Sequence, residues 1–231
     1  MCSSDLVALK MNDRVSKRHK DNFEHSLKVL QNAVDLGAGD FATRFACLMH
    51  DVGKSKTRKV SSGSVSFPLH ELVGARMVSK RMRALRWDKK TIESVAKLVE
   101  LHMRFHGFME SPWADSGVRR LMVDAGGLLE PLLVLFRADV TTSNKRLAGA
   151  LSRAIDDFEA RCEDLSVRER IASMRPALSG GEVMSLLGLE PSPAVGEAMR
   201  FLLDIRLSEG EIDAEEASAR LVQWWSARSG K

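Results

Sequence analysis

FACLMHDVGK, residues 45–54, decides the reading of this chain. Phe45 to Met49 are all apolar, the helical pattern stops at His50–Asp51, and Gly53 follows. An imidazole and a carboxylate side by side at a helix end can point into one cavity. There they offer a mixed nitrogen and oxygen site to a divalent metal. A His-Asp pair also arises by chance, so its weight depends on partners elsewhere in the sequence.

Two partners stand out. His25, in DNFEHSLKVL (21–30), lies among apolar helical positions where an imidazole is costly to bury unpaired. Asp139, in LVLFRADVTT (133–142), is a carboxylate at the end of a very apolar helix, and there it must be paired or bind a cation. His25, His50, Asp51 and Asp139 supply two imidazoles and two carboxylates from three helices. That set fills most of an octahedral shell and leaves room for water, which a divalent ion acidifies enough to attack phosphorus near neutral pH. The ligand mix suits manganese, iron, cobalt, nickel, zinc or magnesium. His70 in FPLHELVGA (67–75) and His102 in LVELHMRF (98–105) are candidates for a second metal or a phosphate contact, and equally for half-buried structural histidines. His19 and His106 read as surface or supporting groups. Asp51 is the candidate catalytic carboxylate. Lys54, three residues on, is a point charge for a phosphate and the second candidate catalytic residue. The GKS at 53–55 is not a P-loop, because the first glycine of that motif would fall at Leu48.

Composition sets the class. The 231 residues are 44% apolar, 29% charged and 6% aromatic, with no Tyr. That is an ordinary globular balance, and it excludes collagen-like, disordered and disulfide-scaffold chains. Cys2, Cys47 and Cys162 are odd in number and widely spaced, which fits a reduced, cytoplasmic chain. No apolar run of about 18 residues suggests a membrane span. Residues 1–120 carry 22 Lys and Arg against 13 Asp and Glu, whereas residues 121–231 carry 13 against 18. A basic front half suits a polyanion such as RNA or a nucleotide. KSKTRK (54–59), with Lys54, Lys56 and Arg58, together with Arg119 and Arg120, supplies the candidate phosphate-backbone contacts, alongside RVSKRHK (14–20) and KRMRALRWDKK (80–90).

Periodicity predicts an all-α fold. Helical stretches fit 25–36, 41–50, 71–86, 90–104, 116–125, 127–140, 144–165, 180–188, 194–208 and 214–228. Leu27, Leu30 and Val34 form the expected buried stripe of the first of these. Asp213 is the expected N-cap of the last. RKVSSGSVSF (58–67) places Val60 and Val65 around a Ser-Ser-Gly-Ser turn and predicts one short hairpin. MRPALSGGE (174–182) interrupts the helical pattern and marks a boundary before a smaller acidic helical module. Trp224 and Trp225 are expected to pack a terminal helix.

The ordered set His25, His50–Asp51, Asp139 resembles the HD metal-dependent phosphohydrolase superfamily. RHKDNFEHSLKVL (18–30), CLMHDVGKSKTR (47–58), HELVGARM (70–77), LVELHMRFHGF (98–108), WADSGVRRLMVDAGGLL (113–129) and RADVTTSNKR (137–146) narrow the resemblance. In that order they are similar to bacterial CCA-adding tRNA nucleotidyltransferases of the actinobacterial, poly(A) polymerase-like type. MRPALSGGEVMSLLGLEPSPAVGEAMRFLLDIRLSEGEI (174–212) resembles the C-terminal helical segment of the same enzymes, although Ser192 stands where they usually carry Gly. The resemblance implies an HD-domain helical bundle over 17–173 and a C-terminal helical RNA-binding module over 174–231, with 1–16 unmatched. It also implies a tRNA or other RNA 3′ end and nucleotides as partners. The family's nucleotidyltransferase head, with its GS motif and paired aspartates, has no counterpart in these residues. Gly63–Ser64 has no such pair beside it. The expectation is therefore a headless portion, working with a separate head, whose HD site hydrolyses phosphodiesters or phosphomonoesters. Two alternatives are a stand-alone HD nucleotide phosphohydrolase and a non-catalytic helical RNA-binding module.

Overall fold

Short apolar-faced segments with caps at their ends build this chain. Its computed structural model describes residues 22–62, 64–110, 113–169 and 175–229. Thus His19, the run 14–20, Cys2 and Pro112 lie outside the described residues. Helices α1 (Asn22–Asp35), α2 (Phe41–Met49) and α3 (Lys54–Thr57) lead into the strands β1 (Lys59–Ser61) and β2 (Ser64–Ser66). There follow α4 (His70–Ala84), α5 (Lys89–Leu101), α6 (His106–Glu110), α7 (Asp115–Ala125), a 3-10 turn at Gly126–Leu128 and α8 (Leu129–Ala138). The chain continues with α9 (Lys145–Glu169), α10 (Gly180–Leu187), α11 (Pro193–Glu209) and α12 (Ala214–Ser229). The fold is all-α apart from the hairpin, whose antiparallel register pairs Val60 with Val65. No helix among the described residues is long and apolar enough to cross a membrane.

The chain forms two compact units. The first takes the described residues up to 110 together with 125–160. In it α1 packs on α2 and α8, and α5 packs on α4 and α2. Asp40 caps α2 by accepting the Thr43 N–H at 2.9 Å, and Asp88 caps α5 by accepting the Thr91 N–H at 2.9 Å. Phe105, Phe108, Phe136 and Phe158 interlock, with ring centroids 5.0–5.7 Å apart.

The buried stripe of α1 differs from the expected one. Leu27 and Val34 are 44% and 41% exposed, while Ser26, Val29 and Ala33 are buried. Small side chains on that face let the α1 backbone approach its neighbours closely and bring His25 inward. The larger leucines would hold the helix off.

The second unit takes 113–124 and the described residues from 161 on. Its core is Leu178, Val183, Ala198, Leu202, Ala217 and Leu221. Phe201 stacks on Trp224 at 4.6 Å, so Trp224 packs its helix. Packing thus places α7 and the end of α9 with the C-terminal helices and cuts the chain earlier than 174–182. Ser179 and Glu182 form a capping box at α10, Asp213 accepts the Glu216 N–H at 2.8 Å, and Pro193 opens α11. Ser192 has extended backbone (φ −158°), which any residue adopts, so the missing glycine costs nothing there.

Candidate metal centre

Three helices of the first unit end at one point. His50 follows α2, His102 follows α5 and Asp139 follows α8, each as the C-cap residue. His70 opens α4, and His25 lies one turn into α1. Imidazoles at helix C-termini lie where the aligned peptide dipoles favour positive charge.

Each of the three central rings is aimed by its own backbone. His50 Nδ1 lies 2.8 Å from the Cys47 carbonyl, His70 Nδ1 2.9 Å from that of Phe67, and His102 Nδ1 2.7 Å from that of Val99. A carbonyl only accepts, so Nδ1–H donates, and Nε2 is the atom turned toward the cavity. The fourth ring, His25, has Thr141 Oγ1 at 3.2 Å from its Nδ1.

The Nε2 atoms converge on the carboxylates. His25 Nε2 is 3.2 Å from His50 Nε2, 3.1 Å from Asp139 Oδ1 and 3.5 Å from Asp51 Oδ2. His50 Nε2 is 3.3 Å from Asp51 Oδ2 and 3.7 Å from Asp139 Oδ1. On the other oxygen of Asp51, His70 Nε2 stands at 3.3 Å and His102 Nε2 at 3.7 Å. Two donor groups result: His25, His50 and Asp139, and beside them Asp51, His70 and His102.

These residues fit a divalent ion. Nε2 of His70 and of His102 is buried and makes no hydrogen bond, despite the nearby carboxylate. Buried polar atoms are ordinarily satisfied, so a lone pair left unpaired beside the Asp51 carboxylate has the disposition of a ligand. Lys54 Nζ donates to Asp51 Oδ2 at 2.6 Å and lies over the Phe67 ring at 5.7 Å. The cavity, about 590 Å³, is lined by His25, Asp51, Lys54, His70, His102 and Asp139 among others. His106 is exposed and lines the rim.

Electrostatics follow from the burial. Burial alone would push the Asp51 carboxyl up, but the His50 charge and the His102, His50 and His70 rings hold it well below the usual carboxylate range. Asp139 also works against burial and is brought down to about 2 by the His25 hydrogen bond and the His50 charge. Burial would lower His50, yet Asp51 and Asp139 carry it up to about 9. His102 goes the other way, lowered by burial and by the His50 charge. It therefore keeps a neutral ring with a free lone pair.

The expected set His25, His50, Asp51, Asp139, with Lys54, His70 and His102, is therefore assembled in one place. Lys56 is exposed on α3, and Arg58 is half-buried. Arg119 and Arg120 lie in the second unit, where Arg119 donates to the Leu207 carbonyl at 3.3 Å and Arg120 pairs with Asp204 at 3.0 Å.

Sequence reasoning missed the supports. Thr141, two residues after Asp139, contacts His25, and Asn32 Nδ2 donates to the Ala138 carbonyl at 2.8 Å, tying α1 to the end of α8. Gly53 and Gly74 let two backbones touch: a Cβ on Gly53 would stand 2.0 Å from the His70 carbonyl oxygen. The glycine after His50–Asp51 was the available signal for that contact.

The HD domain family matches residues 22–144. The chain is similar to an A-adding tRNA nucleotidyltransferase of Deinococcus radiodurans, 33% identical over 211 residues, which covers 90% of this chain and 47% of that protein. It is similar also to a CC-adding tRNA nucleotidyltransferase of Thermus thermophilus, 34% identical over 218 residues, which covers 92% of this chain and 47% of that protein. The chain spans about half the length of the curated relatives it matches.

Proposed function

The chain belongs to the HD domain family, and from that premise we propose that it hydrolyses phosphate esters at nucleotide or RNA 3′ ends, in the setting of tRNA 3′-end processing. His25, His50, Asp51 and Asp139 hold a divalent ion. His70 and His102, with Asp51, would hold a second ion. A divalent ion bound there supplies Lewis-acid activation of water and of a phosphate oxygen.

The chain's own residues do the rest. Asp51 fixes Lys54 by the 2.6 Å contact, so that the ammonium stands at the cavity wall and offsets phosphate charge. The Nδ1–H bonds to the Cys47, Phe67 and Val99 carbonyls keep three rings in the ligating tautomer. Lys56, Arg58, Arg119 and Arg120 serve phosphates of a bound RNA. The first packed unit acts as the hydrolytic part, and the second, which carries Arg119 and Arg120, as the RNA-binding part. Nucleotidyl transfer belongs to a separate head, in the same polypeptide or another.

The observation that carries this reading is the pair of buried, unbonded Nε2 atoms, of His70 and His102, facing the low-pKa carboxylate of Asp51. The test is metal analysis of the purified chain, followed by hydrolysis of 2′,3′-cyclic nucleotides and nucleoside monophosphates with manganese, nickel or magnesium. Asp51→Ala is expected to lose the metal and the activity together. A chain that binds no metal, or one whose hydrolysis survives Asp51→Ala, overturns it. Gel-shift titration separates the tRNA setting from a stand-alone nucleotide phosphohydrolase. Binding that weakens steeply with salt supports tRNA, and weak salt-insensitive binding supports the stand-alone enzyme.

A further inference from the structure

A second cavity, of about 220 Å³, adjoins the metal centre. The two share His102, His106, Asp139, Val140 and Leu151 as a common wall. Beyond that wall the lining is carbon: Phe105, Phe136, Leu147 and Ile155. Leu147, Leu151 and Ile155 recur every four residues along α9 and present one stripe, opposite the Phe105 and Phe136 rings, whose centroids are 5.0 Å apart. Leu147 is 45% exposed, so the cavity opens to solvent at that end. Its size exceeds the roughly 150 Å³ in which an apolar cavity admits a benzene ring.

The geometry points to this cavity as the seat of a nucleobase, with the sugar at the shared wall and the phosphate at the metal centre. This rests on the hydrolytic reading above and deepens it: the substrate is a terminal nucleoside phosphate of any base. A flat ring enters an apolar slot through burial of its faces. No side chain in the deep part of the slot donates or accepts a hydrogen bond, because every group there is hydrocarbon. A pocket of that kind discriminates poorly between rings of similar shape, whereas sites that read hydrogen-bonding edges discriminate by orders of magnitude. The slot therefore requires a base without choosing among bases.

The test is ligand-observed NMR titration of the full chain, in chelator so that no turnover occurs and again with manganese. The probes are AMP, CMP, GMP, UMP, ribose 5-phosphate and butyl phosphate. The four nucleotides are expected to bind within about threefold of one another and at least about tenfold more tightly than the other two, roughly 1.4 kcal/mol. Leu147→Trp, which fills the slot from its exposed mouth and lies outside the lining of the metal cavity, is expected to erase that preference and leave ribose 5-phosphate binding unchanged. Leu147→Asn, at the exposed mouth, should reduce the preference several-fold in a chain whose circular dichroism is native.

Equal binding of ribose 5-phosphate or butyl phosphate and AMP overturns the base assignment. So does a single base favoured more than tenfold, or a Leu147→Trp chain that loses all ligands alike. If the preference persists in chelator while no metal binds and no ester is cleaved, the slot stands and the hydrolytic reading falls. Hydrolysis that proceeds equally well on phosphate esters lacking a base leaves the hydrolytic reading and removes the slot.

Discussion

At Gly53 a Cβ would stand 2.0 Å from the His70 carbonyl oxygen and 2.7 Å from the Gly74 nitrogen, both backbone atoms with no flexible end to move aside. Gly53→Ala must displace the start of α4 and with it His70. Thermal melting is expected to show a loss of about 1–3 kcal/mol, as for other overpacked sites, and metal content should fall in parallel. Thr141→Val removes the hydroxyl beside His25 Nδ1 while keeping the shape. Metal affinity is expected to drop on the order of 10–100-fold by calorimetry with the fold intact, the usual effect of losing a group that orients a ligand. The convergence of His25, His50, Asp51 and Asp139 was legible in the sequence because charged or polar groups at the ends of apolar helices need a reason to be there. Thr141 and Asn32 were not legible as supports, since their partners lie 116 and 106 residues away and nothing local marks such a contact.

Among the elements, helix existence followed from periodicity, but helix orientation did not always follow. In α1 both Leu27/Leu30/Val34 and Ser26/Val29/Ala33 have helical spacing, and hydrophobicity favours the first. Packing chose the second, because close backbone approach brings His25 to Asp139. The short helices α3 and α6 span too few residues for a periodic signal. The hairpin was readable from its turn residues, and its register pairs the two valines. In α10 the pattern Ser-x-x-Glu at 179–182 forms a reciprocal cap. Ser179→Ala is expected to cost about 1 kcal/mol. Hydrogen exchange should show the loss as faster exchange in α10, with α2 and α5 of the first unit unchanged.

For the molecule as a whole, pH and metal act on the same charges. In metal-stripped protein the His50 pKa is raised from 6.5 to about 9, so the stabilisation from its pairing is complete below about pH 6.5 and lost as pH rises toward 9. The lowered Asp51 and Asp139 contribute the opposite slope, present above about pH 3.8 and lost as pH falls below it. Melting temperature of the stripped chain is therefore expected to be highest between these limits and to decline from pH 6.5 to 9. An ion needs His50 neutral, so the stabilisation added by manganese should grow across that same window. Differential scanning calorimetry at matched salt reads both trends, and parallel curves would contradict them. The uneven charge of the two halves was legible from counting alone. How the chain divides into two packed units was not, since the helical break at 174–182 is a local signal and the packing of α7 and the end of α9 with the C-terminal helices is not.

Rings tethered to the carbonyl three residues back, as at His50, His70 and His102, owe their aim to the turn that carries them. Each helix therefore arrives with its donor already pointed. Loading an ion then asks for little rearrangement of the polypeptide, and the pace of capture passes from the protein to the ion, set by how readily it sheds its own water.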